Sequence, residues 1–445
     1  MRNICFVSLG CDKNRVDTEC MLSILSGADY RIVADPEEAD AAVINTCAFI
    51  LDAQEESVQT ILEFAQYKQH GRLRVLIVTG CMAQRFQEEI RQEIPEVDAV
   101  LGTASYDRIA EAVDKAFGGE TSCIMEPTDR LPDANTRIVS TPPHYAYLKI
   151  AEGCAKHCTY CIIPSLRGPY RSVPAEDLEA QARYLASQGT RELILVAQET
   201  TLYGTDLYGE KRLPQLIRCL SRIEGIEWIR ILYCYPEEIT AGLIAEIRDN
   251  PKVCHYLDLP IQHLNDTILR RMGRRATSDG IRALVKTLRR EIPDIVLRTT
   301  LIAGFPGETQ EMHEDLMVQL NELEFDRLGV FAYSPEDGTP AALFPDQVDQ
   351  ETKEAWADEI MELQQEIIYD KNETLTGCEF ETVIDGYLPD EGVYVGRTYR
   401  DAPDVDGLIF VESDRNLMSG DLLRVRVSEA AGYDLKGVEI DESAE

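Results

Sequence analysis

Residues 145–161 read Tyr145-Ala146-Tyr147-Leu148-Lys149-Ile150-Ala151-Glu152-Gly153-Cys154-Ala155-Lys156-His157-Cys158-Thr159-Tyr160-Cys161. The largely apolar start, 145–150, reads as a buried strand, and a loop with three cysteines in eight residues follows it. Chemistry just past the carboxyl end of a strand is the habit of parallel α/β barrels. The same unit recurs downstream. Strands are expected at 192–198, 228–233, 254–259, 295–302 and 327–333, with helical patterns between them at about 174–188, 213–223, 239–249, 278–290 and 309–323. Six β/α units in series predict a partial or complete parallel barrel, (β/α)6 and TIM-like, over 144–372, with a charged helix at about 350–373 leading out of it.

Upstream, residues 1–126 also alternate. Strands at 3–9, 41–45 and 73–78 and helices at 14–26, 52–69 and 84–93 predict one α/β domain with an open, wound parallel sheet. A linker is expected at 127–143, where Pro132, Asp133, Asn135, Pro142 and Pro143 cluster. Downstream, 373–441 carries short alternating strands at 379–384, 392–397, 407–411 and 421–427 with glycine turns, so a small β-barrel or sandwich is expected.

The chain has 445 residues, 44% of them hydrophobic, enough for packed cores in two to four domains and too many for a disordered chain. No apolar run approaches the roughly 20 residues that span a bilayer. The opening residues read as a strand rather than a signal peptide, so a cytoplasmic protein is expected. The net charge of −35 argues against capture of a phosphate backbone. It suits either a basic partner or solubility alone. Thirteen cysteines, an odd number in such a chain, argue against a disulfide framework and for ligands or redox groups among buried thiols.

Three thiolates as closely spaced as Cys154, Cys158 and Cys161 can wrap one face of an iron–sulfur cube and leave its fourth iron open to a small chelating molecule. Zinc at a structural site asks for four protein ligands; no fourth cysteine is near, and His157 lies awkwardly between Cys154 and Cys158. Gln198-Glu199-Thr200-Thr201 closes the second barrel strand and Gly304-Phe305-Pro306-Gly307-Glu308-Thr309 follows the fifth. Each reads either as an ordinary strand-to-helix turn or as a cofactor contact, with Glu308 or Thr309 starting the next helix.

A second cysteine set is spread more widely. Cys11, Cys47 and Cys81 are 36 and 34 residues apart, yet each falls just past the end of an expected strand. In a parallel sheet those ends share one edge, where ligands bind. The three either converge there or are unrelated packing residues. Cys5, Cys20, Cys123, Cys219, Cys234, Cys254 and Cys378 fit no such pattern and read as structural.

The spacing of Cys154, Cys158 and Cys161, with an aromatic before the last, resembles the radical S-adenosylmethionine superfamily. That resemblance implies that the three cysteines hold a 4Fe–4S cluster whose open iron chelates S-adenosylmethionine, with Tyr160 near the adenine. It draws Gln198, Glu199, Gly304 and Glu308 towards cofactor contact. Ser8-Leu9-Gly10-Cys11-Asp12-Lys13-Asn14, Asn45-Thr46-Cys47 and Thr79-Gly80-Cys81, with the cysteine loop and the terminal β module, resemble the methylthiotransferase family over essentially the whole chain. The family implies a second 4Fe–4S cluster on Cys11, Cys47 and Cys81, a radical S-adenosylmethionine barrel and a TRAM domain. One cluster makes a 5′-deoxyadenosyl radical; the other carries the sulfur to be inserted. An external electron donor and a sulfur donor are implied too.

The family's two main branches modify tRNA adenosine or an aspartate of small-subunit ribosomal protein uS12. Residues 256–263 (Tyr256-Leu257-Asp258-Leu259-Pro260-Ile261-Gln262-His263), 333–339 and 401–407 resemble the ribosomal-protein branch. His263 reads either as facing the barrel mouth or as a structural cap. From Leu375 to Glu445 there are 17 acidic and 6 basic residues, a net −11. A module made for tRNA should be basic, whereas an acidic one suits uS12 or the small ribosomal subunit, whose proteins are rich in lysine and arginine. The resemblance implies that the radical removes a hydrogen from the aspartate β-carbon, which then captures a methylthio group. That hydrogen is not acidic, so no catalytic base is assigned. A non-catalytic iron–sulfur carrier and a ribosome-binding protein are the competing classes, and both predict no cleavage of S-adenosylmethionine.

Overall fold

The computed structural model describes residues 2–133 and 136–440, so Met1, Asn135 of the expected linker and residue 441 lie outside them. Residues 3–124 build a six-stranded sheet in the order Arg31–Ile32, Asn3–Ser8, Ala41–Thr46, Val75–Gly80, Ala99–Leu101, Ser122–Ile124. Every pairing is parallel. Three of these strands have two or three residues, too few to show a period, and so were not legible in the sequence. The helix expected at 84–93 is displaced and divided. It runs Cys81–Arg85 and then Gln87–Glu93, because Gly80 turns the strand straight into a helix and Phe86 breaks that helix with ψ near 36°.

The central sheet follows chain order: Tyr145–Lys149, Glu192–Val196, Trp228–Ile231, Val253–Asp258, Val296–Ala303, Arg327–Ala332. All its pairings are parallel and the two end strands do not pair, which makes a partial (β/α)6 barrel. Its outer face buries Leu148, Leu195, Ile231, Leu257 and Leu301 against the helices. Its inner face sends Tyr147, Val196, Tyr256 and Val296 into one apolar cluster with Ile4 of the first sheet and Val16 and Met21 of the helix Asp12–Gly27. Each such side chain fully removed from water contributes roughly 1.5–3 kcal/mol, so the first sheet and the barrel interior are packed as one body. The helix Gln350–Glu373 follows, capped by Asp349, whose carboxylate accepts from Thr352 N.

The last module is a closed five-stranded barrel of Glu379–Leu388, Val393–Thr398, Ile409–Glu412, Asp434–Glu439 and Leu422–Ala431. Asp434–Glu439 adds to the strands expected from the sequence, where Gly437 interrupts the alternation. The module docks at the amino ends of the central strands. Arg397 bridges Asp385 (2.8 Å) and Glu192 (3.0 Å), Arg230 reaches Glu192 at 2.7 Å, and Asp401 pairs with Arg327. Ions so deeply buried are tolerated only because each meets an opposite charge. Among the described residues no helix is long and apolar enough to cross a membrane.

Candidate active site

The carboxyl ends of three adjacent strands bring the first cysteine set together. Cys11 caps the helix Asp12–Gly27, Cys47 follows Ala41–Thr46, and Cys81 opens the helix after Val75–Gly80. Gly10 has φ +85°, and a Cβ there would stand 2.7 Å from Cys47 Cβ, so only glycine lets the first loop lie against the second. Asn14 ties all three loops. Its amide donates to Leu9 O (3.0 Å) and Thr46 O (2.9 Å), and its Oδ1 lies 4.0 Å from Cys81 Sγ. Asn45 returns a bond to Asn14 O at 2.8 Å.

Burial pushes the Cys47 thiol up to about 12, and the neighbouring Cys81 and Cys11 push the same way. Burial also raises Cys81, against the opposing charge of Arg167. These are protonated thiols that resist ionising unless a cation takes the place of the proton. Among the described residues no three such side chains converge on the position of a single metal ion. A cube of iron and sulfur asks for a wider arrangement, since each thiolate binds a different iron. An all-thiol donor set spread over three loops fits the cube.

The second set lies in a loop bracketed by the short pair Ala151–Glu152 and Arg171–Ser172. Its backbone is pinned from outside, with Thr159 N donating to Met272 O (2.9 Å) and Thr159 Oγ1 to Arg271 O (2.8 Å). Cys154 and Cys158 are buried, Cys161 half-buried, and His157 is exposed, away from any role as a fourth ligand. Burial lifts Cys154 to about 11 and Cys161 to about 12; Cys158 adds to both, and Cys154 to the second. Cys158 Sγ lies 3.5 Å from Tyr235 Oη, and Arg274 covers the Tyr235 ring at 4.0 Å. Tyr160 meets Phe305 edge-on, with ring centres 6.4 Å apart.

The remaining expected contacts divide. Gln198 Nε2 donates to Glu152 Oε1 at 2.7 Å, two residues before Cys154, while Gln198 Oε1 meets no donor among the described residues. Glu199 is fully buried; one oxygen takes bonds from Thr201, and the other also meets no donor among the described residues. Its field reaches Cys154. A buried carboxylate with one open oxygen beside the cysteine loop is suited to a cationic group such as an ammonium. Gly304 and Glu308 are engaged by the fold. A Cβ on Gly304 would lie 2.2 Å from Lys353 Cγ, and Glu308 accepts from Gly304 N (2.8 Å), Phe305 N (3.1 Å) and His263 Nε2 (3.0 Å). Thr309, not Glu308, caps the next helix. His263 is fully buried and accepts from Asn265 N at 2.9 Å, which makes it structural.

Burial is the largest influence on Glu199 and lifts its carboxyl to about 7, against the pull of Thr201 and Lys156. A carboxyl raised in the folded state contributes most below its unfolded value, near 4.5, and that contribution is lost as pH rises through 7. From this group the ligand-free protein should lose stability steadily as pH rises from about 5 to 7, and little more above that. Glu199→Gln should remove that slope in denaturant melts, and an unchanged slope would refute the assignment.

Asn14, Glu152, Arg167 and Tyr235 join the site beyond the residues that the sequence marks. A signal existed for two of them: Asn14 and Glu152 lie within quoted stretches that otherwise serve a cysteine. Arg167, at the end of the short helix Ile163–Arg167, and Tyr235, in the loop after the third barrel strand, meet their partners only through the fold.

Family models match three stretches: residues 3–102 as Uncharacterized protein family UPF0004, 148–320 as the Radical SAM superfamily, and 376–440 as the TRAM domain. A curated relative from Lachnoclostridium phytofermentans, ribosomal protein uS12 methylthiotransferase RimO, is 54% identical over 98% of this chain and 99% of its own. The protein of the same name from Geobacter sulfurreducens is 49% identical over 98% of both chains. Among solved structures, the radical S-adenosylmethionine methyltransferase TsrM from Kitasatospora setae, with tryptophan and an S-adenosylmethionine analogue bound, aligns at a TM-score of 0.56 and 14% identity. That alignment covers 77% of this chain and 75% of that one, a likeness of fold alone.

Proposed function

This chain belongs to the uS12 methylthiotransferase family of radical S-adenosylmethionine enzymes, and on that premise we propose that it inserts a methylthio group at the β-carbon of an aspartate in ribosomal protein uS12. The observation that carries this reading is near-half identity to uS12 methylthiotransferases over the whole chain, together with one cysteine triad at the strand ends of the first sheet and another in the loop after the first barrel strand. The reading assigns residues 1–126 to the sulfur-carrying module, 127–143 to a linker, 144–372 to the radical barrel and 373–441 to a TRAM module.

Cys154, Cys158 and Cys161 would hold one 4Fe–4S cluster and Cys11, Cys47 and Cys81 the other. When bound, these groups and S-adenosylmethionine supply the radical that takes the β-hydrogen, and the sulfur and methyl that replace it. The chain's own residues position and shield. Glu199 receives the cationic end of S-adenosylmethionine, Gln198 offers its free oxygen beside it, and Tyr160 flanks the adenine. Gly304 contributes backbone, and Glu308 holds that backbone in place. Between the two centres, Lys13 lies 2.7 Å from Asp12 and 3.2 Å above the Tyr233 ring, whose hydroxyl donates to Asp12 at 3.2 Å. Tyr233, two residues past the third barrel strand, has φ +59°, a strained backbone that only tight packing sustains. This seam excludes water where a carbon radical must meet only sulfur.

An external electron donor and a sulfur donor complete the cycle. The test is competition: the reconstituted protein is given uS12 and tRNA together, and mass spectrometry should find the methylthio group on the protein alone. A gain on tRNA alone would reverse the assignment.

A further inference from the structure

Arg167 ends the short helix Ile163–Arg167, six residues after Cys161, and belongs to the barrel by sequence. Its side chain, however, is buried in the pocket of the other cysteine set. Nη1 lies 2.7 Å from Asp17 Oδ2 and 3.2 Å from Glu152 Oε2, and Nη2 donates to Asn14 Oδ1. The same Asn14 joins the loops of Cys11 and Cys47 and faces Cys81. Glu152 joins Lys149 at 2.7 Å and precedes Cys154 by two residues. One chain of buried polar contacts thus runs from the first cysteine pocket to the second cysteine loop.

We propose that Arg167 is a positioning residue through which the barrel completes the first cysteine site, presenting positive charge to Cys81 and tying that pocket, by way of Asn14, Asp17 and Glu152, to the backbone of the second. The inference rests on the reading that Cys11, Cys47 and Cys81 hold a cluster. The Arg167 guanidinium and Cys81 Sγ both lie against Asn14 Oδ1, which makes the thiol and the cation close neighbours. A cluster takes up an electron more readily beside a cation and less readily beside an anion, and outer groups of this kind tune bound metals. Arg167 and Asp17 should therefore act on the first cluster with opposite signs. A bridge that only held the fold together would make their removal equivalent.

The test is a redox titration followed by electron paramagnetic resonance, in a parent where Cys154, Cys158 and Cys161 are alanine and one cluster remains to report. Arg167→Met should move the midpoint potential negative, Asp17→Asn should move it positive, and Arg167→Lys should stay near the parent. If Arg167→Met loses its cluster, the positive shift in Asp17→Asn together with the unmoved Arg167→Lys carries the assignment. Equal potentials in all variants, or shifts of the same sign, would overturn it while leaving the cluster reading intact. A parent without iron would overturn the cluster reading itself, and the role of Arg167 with it.

Discussion

Alanine at Cys154, Cys158 and Cys161 together is expected to leave a folded chain with about half the iron and sulfide of the wild type and no release of 5′-deoxyadenosine. The fold should survive because the loop is held by backbone and hydroxyl bonds from Thr159 to Met272 and Arg271, and by the strand pair at its base, not by sulfur. The halving follows from the other three cysteines occupying a different sheet, with their own tether in Asn14. Complete loss of iron from a correctly folded variant would sink the two-site account. Continued release of 5′-deoxyadenosine would place the radical chemistry elsewhere.

Alanine at Cys11, Cys47 and Cys81 should give the opposite loss: 5′-deoxyadenosine still forms, while methylthio transfer to uS12 falls below detection. Asn14, Asn45 and Thr46 continue to hold the three loops, since their bonds run to backbone, so the sheet should melt near the wild-type temperature. Methylthio transfer by this variant would show that the first set is packing after all.

The barrel is legible because each of its strands is a largely apolar stretch of four to eight residues followed by a helical pattern, and Tyr145–Lys149 or Glu192–Val196 announce themselves. Arg31–Ile32 and Ser122–Ile124 did not, being too short to carry a period. The cysteine positions were legible because strand ends in a parallel sheet share an edge. The contacts that join the sites were not. Arg167 reaches Asp17 across 150 residues of chain, and no local pattern encodes that meeting. Gly304 and Glu308 show the converse: their motif is visible, but not that Lys353 stands where a Cβ on Gly304 would lie or that Glu308 spends its oxygens on Gly304, Phe305 and His263.

The charge of the last module also changes meaning. Asp385, Asp401 and Asp406 are among its 17 acids, and they face His144, Arg327 and Arg298 of the barrel rather than solvent. Part of the net −11 therefore docks the module. Asp390, Glu391, Asp404, Glu412 and Asp414 stay exposed, and these are the groups available to a basic protein.

The most direct measurement supplies uS12 deuterated at the β-carbons of its aspartates. Wild-type protein should return 5′-deoxyadenosine carrying deuterium, and tandem mass spectrometry should find the methylthio group on an aspartate of the same uS12. Deuterium-free 5′-deoxyadenosine alongside unmodified uS12 would contradict the account.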